Sequence, residues 1–218
     1  MSGSRLARWS PASGVLFVAI FVVSATLMGD VPGVDATDSK ILSYYADHGN
    51  QLKLEIAFFV ATLGAVFFLW FVGTLSGRLR EVENEPRWLS GIVLVSGGAF
   101  TVVMLAGFGL GSMVAGSADH GGRFQVAPDT ARLLSDFTYP LTFETALPLV
   151  APLVLATSLI TLRSGLMPRW LGWAGMVVAL GCIAGVLGVT MGLFLIWVLV
   201  VAYYLIRREP RGPVPAMS

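Results

Sequence analysis

The chain has 218 residues, of which 56% are hydrophobic and 12% charged, with a mean hydropathy of +0.78. Soluble domains carry about 25% charged residues, so this composition excludes an ordinary soluble globule and points to an all-α polytopic integral membrane protein forming a single domain over residues 1–218. A net charge of +1, with the arginines at the ends of apolar runs, leaves no nucleic-acid-binding face, and a single cysteine, Cys182, excludes an intramolecular disulfide.

Arg5 and Arg8 precede an apolar run over about residues 11–29. A basic start and an apolar middle resemble a signal peptide. The run is nearly of bilayer length and ends without a good small-x-small site, so it reads as an uncleaved first transmembrane helix. A polar loop follows, in which Asp38 or Ser39 is positioned to cap a short helix through Tyr44 and Tyr45, ended by Gly49. The tyrosines suit a helix lying at the membrane surface.

Further spans are expected at about 52–76, 89–114, 133–162, 171–187 and 190–206. The last two come from one apolar stretch too long for a single crossing, with the break placed at Gly188–Gly192. Six spans make three helical hairpins. Of the fourteen Lys and Arg residues, ten then fall on one side, Arg5, Arg8, Arg78, Arg80, Arg87, Arg163, Arg169, Arg207, Arg208 and Arg211. The positive-inside rule places that side, with both termini, in the cytoplasm, and the protein in the plasma membrane. Arg-Trp recurs at Arg8-Trp9, Arg87-Trp88 and Arg169-Trp170, each before an odd-numbered span. Indoles at the headgroup level with arginines beyond them account for the recurrence without an internal triplication.

The fourth span carries the most informative pattern. Asp136, Pro140, Glu144, Pro148 and Pro152 recur every fourth position, which places them along one helix face. Each proline lacks an N–H, which frees the carbonyl four residues earlier. Counting back from Thr161 puts Glu144 just inside the outer edge of the hydrocarbon, with Glu55 at similar depth and Asp136 above both. A carboxylate there is expected to face protein or water. Glu144, Glu55 and Asp136 are therefore the candidate polar or ion site. Its structural alternative is an interfacial glutamate bonded to a neighbouring helix, with Asp136 paired to Arg132 four residues earlier.

His48 and His120 occur in matching Ala-Asp-His-Gly tetrapeptides on the outer side. They are weak candidates for a metal site, since Asp-His-Gly is also ordinary loop chemistry. No cofactor is expected. Gly107, Gly109 and Gly111 in the third span, and Gly181 to Gly192 further on, mark close helix packing.

The segments Ile41-Leu-Ser-Tyr-Tyr-Ala-Asp-His-Gly-Asn-Gln51 and Arg163-Ser-Gly-Leu-Met-Pro-Arg-Trp-Leu-Gly-Trp173 resemble a group of bacterial multi-pass membrane proteins common in actinobacteria. The resemblance implies a six-span bundle in a bacterial plasma membrane and transfers no functional residue. Three functions are compatible with these features. One is a small membrane protein acting through helix partners or as a homo-oligomer in the bilayer. The second is a permease or channel-like protein using the outer carboxylates. The third is a membrane-embedded enzyme acting on a lipid or quinone.

Overall fold

A computed structural model describes residues 9–29, 31–32, 35–119, 127–184 and 187–207. All regular structure among these residues is helical. The helices are α1 (Ala12–Met28), α2 (Asp38–Ala46), α3 (His48–Val82), α4 (Trp88–Asp119), α5 (Pro128–Tyr139), α6 (Ala146–Ser164), α7 (Arg169–Ala184) and α8 (Leu187–Arg207). A π-helical segment, Pro140–Thr145, joins α5 to α6 without a break. Four helical stretches are long and apolar enough to cross a membrane: His48–Val82, Trp88–Met113, Asp129–Ser164 and Val189–Arg207. Ala12–Met28 and Arg169–Ala184 are apolar but shorter.

The long helices and the two shorter ones form a closed ring in chain order. Helix α1 packs on α3, α3 on α4, α4 on α6, α6 on α7, α7 on α8, and α8 returns to α1. Neighbours run antiparallel. Ser24 Oγ donates to Ala57 O near one end of the α1–α3 pair, and Gly14 meets Phe71 near the other. Between α3 and α4, Ser76 Oγ donates to Ser90 O while Gly109 lies against Phe58.

The ring is filled by aromatic side chains. Phe17 of α1 lies 4.5 Å from Phe68 of α3, Phe68 lies 5.2 Å from Phe100 of α4, and Phe100 lies 5.6 Å from Phe194 of α8, by ring centroids. Leu147, Val150, Leu153 and Val154 of α6 close the same buried cluster. In a bilayer such packing is driven by dispersion and close contact rather than by removal from water, and each tilted or edge-on aromatic pair adds about 0.5–1.5 kcal/mol.

Several boundaries differ from the sequence reading. Gly188–Gly192, where the last hairpin is expected to break, lies inside α8. Gly192 has open space at its Cβ position, whereas Gly181 meets Thr190 across the α7–α8 contact. The turn is thus set where α7 can still pack on α6, with Gly172 against Leu162 and Gly175 against Ser158 and Trp197. Gly49 does not end the surface helix. Asp47 separates α2 from α3 instead, its carboxylate accepting from Asn50 N at 2.9 Å as the N-cap of α3, and Gly49 sits in that helix's first turn.

At the opposite end of α3, the Glu83 carboxylate accepts from Leu89 N at 2.8 Å and Ser90 N at 3.0 Å. One side chain thereby satisfies two of the unpaired N–H groups that begin α4. Trp9, Trp88 and Trp170 are all exposed on the outside of the bundle, as an interfacial belt requires.

Candidate functional site at the end crossed by α2

Helix α2 lies across the end of the bundle away from the Arg-Trp pairs. Ile41 and Tyr45 are buried there with Leu54 of α3, Ala115 of α4 and Ala131 of α5, forming a second apolar cluster separate from the aromatic core. Backbone carbonyls at the end of α2 are held by the start of α3: Gln51 Nε2 donates to Tyr45 O at 2.7 Å and Asn50 Nδ2 to Tyr44 O at 3.2 Å.

Arg132 of α5 fastens the other end of α2. Its Nη2 donates to Ala36 O at 2.9 Å and to Asp38 Oδ1 at 2.8 Å, and its Nη1 to Asp129 Oδ1 at 3.2 Å. The expected pairing with Asp136 is therefore corrected. The guanidinium is drawn to the first turn of α2, where a free carbonyl and a carboxylate lie side by side, a geometry that a planar fork of donors fits.

The three candidate carboxylates are placed as follows. Glu55 is half-buried on α3, and its Oε1 is 3.8 Å from the position a Cβ would take at Gly116 of α4. Asp136 is half-buried on α5, and Glu144 is exposed in the π-helical segment. Among the described residues no ion pair joins any two of them or ties one to a base. Glu144 thus lies exposed on the surface of the bundle. Pro148 and Pro152 are likewise exposed. The π-helical turn is wider than an α-turn, so the residues after it are rotated relative to Asp136.

The inward side of the same turn is tightly packed. Thr142 is fully buried, and among the described residues its Oγ1 has no hydrogen-bond partner. It is pressed against Gly107 of α4, where an added Cβ would fall 2.9 Å from Thr142 N and 3.1 Å from its Cα. Gly111, one turn on, meets Thr138. The glycines flagged in the sequence therefore do bring α4 against the bent helix, and the Thr142 hydroxyl is left with only the weak Cα–H contacts such approaches provide.

Eleven residues before Gly107, Ser96 of α4 inserts into the backbone of α6. Its hydroxyl accepts from Leu153 N at 3.1 Å and donates to Leu149 O. Those two groups would bond each other in an unbroken helix. Pro152, lying between them, has a ring that clashes with the preceding turn and opens it. A side chain from a neighbour fills the gap, one of the recognised causes of a helix bend. No sequence signal singles Ser96 out from the other serines.

His48 is exposed at the start of α3, with Nδ1 3.0 Å from Gln51 Oε1. His120 lies outside the described residues. Among the described residues no group of three or more His, Cys, Asp and Glu side chains converges as a metal would need. Comparison of the chain with family models, with curated proteins and with solved structures finds no match. The functional reading rests on the residues and their geometry.

Proposed function

We propose that the chain is a six-span plasma-membrane protein, with both termini cytoplasmic, that works through contacts between its outward helix surface and another membrane protein or a second copy of itself. The membership of α1 and α7 in the closed ring supports six spans. At about 1.5 Å per residue they reach about 24–26 Å, and flanking Trp and Arg make up the difference to a bilayer core of about 30 Å.

The observation that carries the partner reading is Glu144. It is exposed on the outside of the bundle, without a hydrogen bond or ion pair among the described residues, on a turn whose inner side is packed against Gly107 through Thr142. A carboxylate on the lipid-facing side of a packed bundle is costly unless a partner or interfacial water receives it. Exposed Phe137 and Leu133 on the same helical stretch offer apolar contact around it.

A photo-crosslinking amino acid at position 137 tests this in intact membranes. Adducts of discrete protein mass are expected, and Glu144→Gln should weaken them several-fold. Adducts with lipid alone would overturn the reading. One observation favours a second function: Glu55 turns toward α4 rather than away from the bundle, as a transport carboxylate would. In that case Glu55→Gln and Glu144→Gln would each lower ion or proton flux in reconstituted vesicles. The partner reading expects flux indistinguishable from empty vesicles in all variants.

A further inference from the structure

The opposite end of the bundle carries a groove that the site beside α2 does not involve. It lies on the outer surface where the start of α1 crosses α3, has a volume of about 500 Å³, and is lined by Trp9, Ala12, Leu16, Phe67 and Trp70 with Ser10 and Ser13 at its end. That volume is within the range of small-molecule sites, roughly 300–1,000 Å³.

The polar atoms at its end are occupied with one another. Trp70 Nε1 donates to Ser10 Oγ at 2.9 Å, Ser10 Oγ bonds Thr74 Oγ1, Thr74 Oγ1 donates to Trp70 O at 2.9 Å, and Ser13 Oγ donates to Ser10 O at 2.7 Å. What is left to a ligand along the groove is apolar surface, although both tryptophans remain more than half exposed.

One helical turn beyond Thr74, whose hydroxyl bonds Ser10 of the groove, α3 carries a charge. Trp70, Thr74 and Arg78 are spaced i, i+4, i+8 and share one stripe of α3. Among the described residues Arg78 is paired only with Glu81, 3.8 Å away and too far for a hydrogen bond, and 16% of its side chain is exposed. Its guanidinium therefore retains donors for an anion. The groove ends at the level of Trp9, in the leaflet of the Arg-Trp pairs, where acyl chains give way to headgroups.

We propose that this groove binds an anionic glycerophospholipid, one acyl chain lying along Leu16, Phe67 and Trp70 and the phosphate meeting the Arg78 guanidinium. The arrangement joins an apolar slot of limited size to an under-neutralised arginine, which is how basic sites at membrane interfaces select anionic headgroups. The site rests on the bilayer embedding proposed above and is independent of the partner reading, since Glu144 lies at the other end of the bundle.

The test uses the full chain in vesicles of equal parts phosphatidylglycerol and phosphatidylcholine, extracted mildly and examined by native mass spectrometry. One phosphatidylglycerol per chain is expected to remain bound in preference to phosphatidylcholine. Arg78→Gln should lower that preference about fivefold. Leu16→Trp, which fills the slot at an exposed position, should lower total lipid retention while leaving the protein folded. Arg163→Gln, at the end of α6 beside a different surface, should change neither. Equal retention of the two lipids by the unaltered chain, or retention indifferent to both Arg78→Gln and Leu16→Trp, would overturn the proposal. Cross-linking through position 137 is scored on the same preparations, so loss of partner adducts with intact lipid selectivity would count against the partner reading alone.

Discussion

Two prolines in one helical stretch are accommodated in opposite ways. At Pro140 the backbone changes its own spacing, and a π-helical turn over Pro140–Thr145 absorbs the missing donor. At Pro152 the α-helix keeps its spacing and a neighbour repairs the opened turn, through the Ser96 hydroxyl between Leu149 O and Leu153 N. The difference follows from what α4 sets opposite each disturbed turn. Around Pro140 the neighbouring helix offers Gly107, which has no side chain to donate or accept but leaves room for a widened turn to bulge into. Around Pro152 it offers a hydroxyl and little room, since Gly97 is already in contact with Val72 and Leu153. Within lipid no water can satisfy a freed backbone group, so each proline constrains the residue opposite it.

The strongest way to break this comparison is to remove the room at Gly107. Gly107→Ala would place a methyl group 2.9 Å from Thr142 N, a backbone atom that cannot move without shifting the whole wide turn. Overpacking of this kind costs about 1–3 kcal/mol or more. The expected outcome is a loss of most monodisperse protein on size-exclusion chromatography and a lower melting temperature in detergent. Thr142→Ala in the same chain removes the hydroxyl but not the amide, so it should restore stability only in part. Full tolerance of Gly107→Ala alone would show that the π-helical turn is not pinned by this contact.

At Pro152 the effect should be smaller and coupled. Ser96→Ala leaves Leu149 O and Leu153 N without their shared partner, at a cost of about 1–2 kcal/mol on the scale of interhelical hydrogen bonds in membranes. Pro152→Ala allows the two groups to bond each other directly. The cost of Ser96→Ala should therefore shrink in the Pro152→Ala background, giving a double-mutant coupling of at least about 0.5 kcal/mol in reversible unfolding. Simple additivity would mean that the serine contributes packing and not repair.

How much of this was legible in the sequence follows the range of the interactions. The apolar runs, the Arg-Trp punctuation and the proline recurrence are local and gave the helices and their order. Gly107 and Gly111 were legible as a contact face because small residues four apart have few other uses in a membrane helix. The facing of Glu144 was not, because the i, i+4 rule that set it on the face of Asp136 holds only while the turn stays α-helical, and the π-helical segment begins between them. Ser96 was illegible for another reason. Its role is created by Pro152, 56 positions away, and α4 carries other serines, Ser90, Ser112 and Ser117, likewise set among apolar residues and glycine. The break of the last hairpin was misplaced because dividing an apolar stretch into equal spans ignores where α6 offers α7 a surface.

The end of the same stretch beside α2 sharpens the comparison by adding exposure to solvent. Arg132 also makes a polar contact across a gap in the chain, to Asp38 and Ala36 O, 94 and 96 positions away. Unlike the Ser96 hydroxyl it is open to solvent, with 24% of its side chain exposed and 66% of that of Asp38. Exposed ion pairs contribute about 0–1 kcal/mol and are screened by salt, whereas a hydroxyl buried between helices is not. Arg132→Gln should therefore leave global unfolding within about 1 kcal/mol of the parent chain, yet loosen α2, whose cluster of Ile41, Tyr45 and Leu54 is small. Limited proteolysis between residues 30 and 47 reads this directly: cleavage in the variant should be several-fold faster at low salt. The difference from the parent should narrow in high salt, where screening weakens the Arg132–Asp38 contact of the parent. The cost of Ser96→Ala should be the same in both salts. If the Arg132 effect proves equally indifferent to salt, its bond to the Ala36 carbonyl, and not the charge of Asp38, is what holds α2 across the end of the bundle.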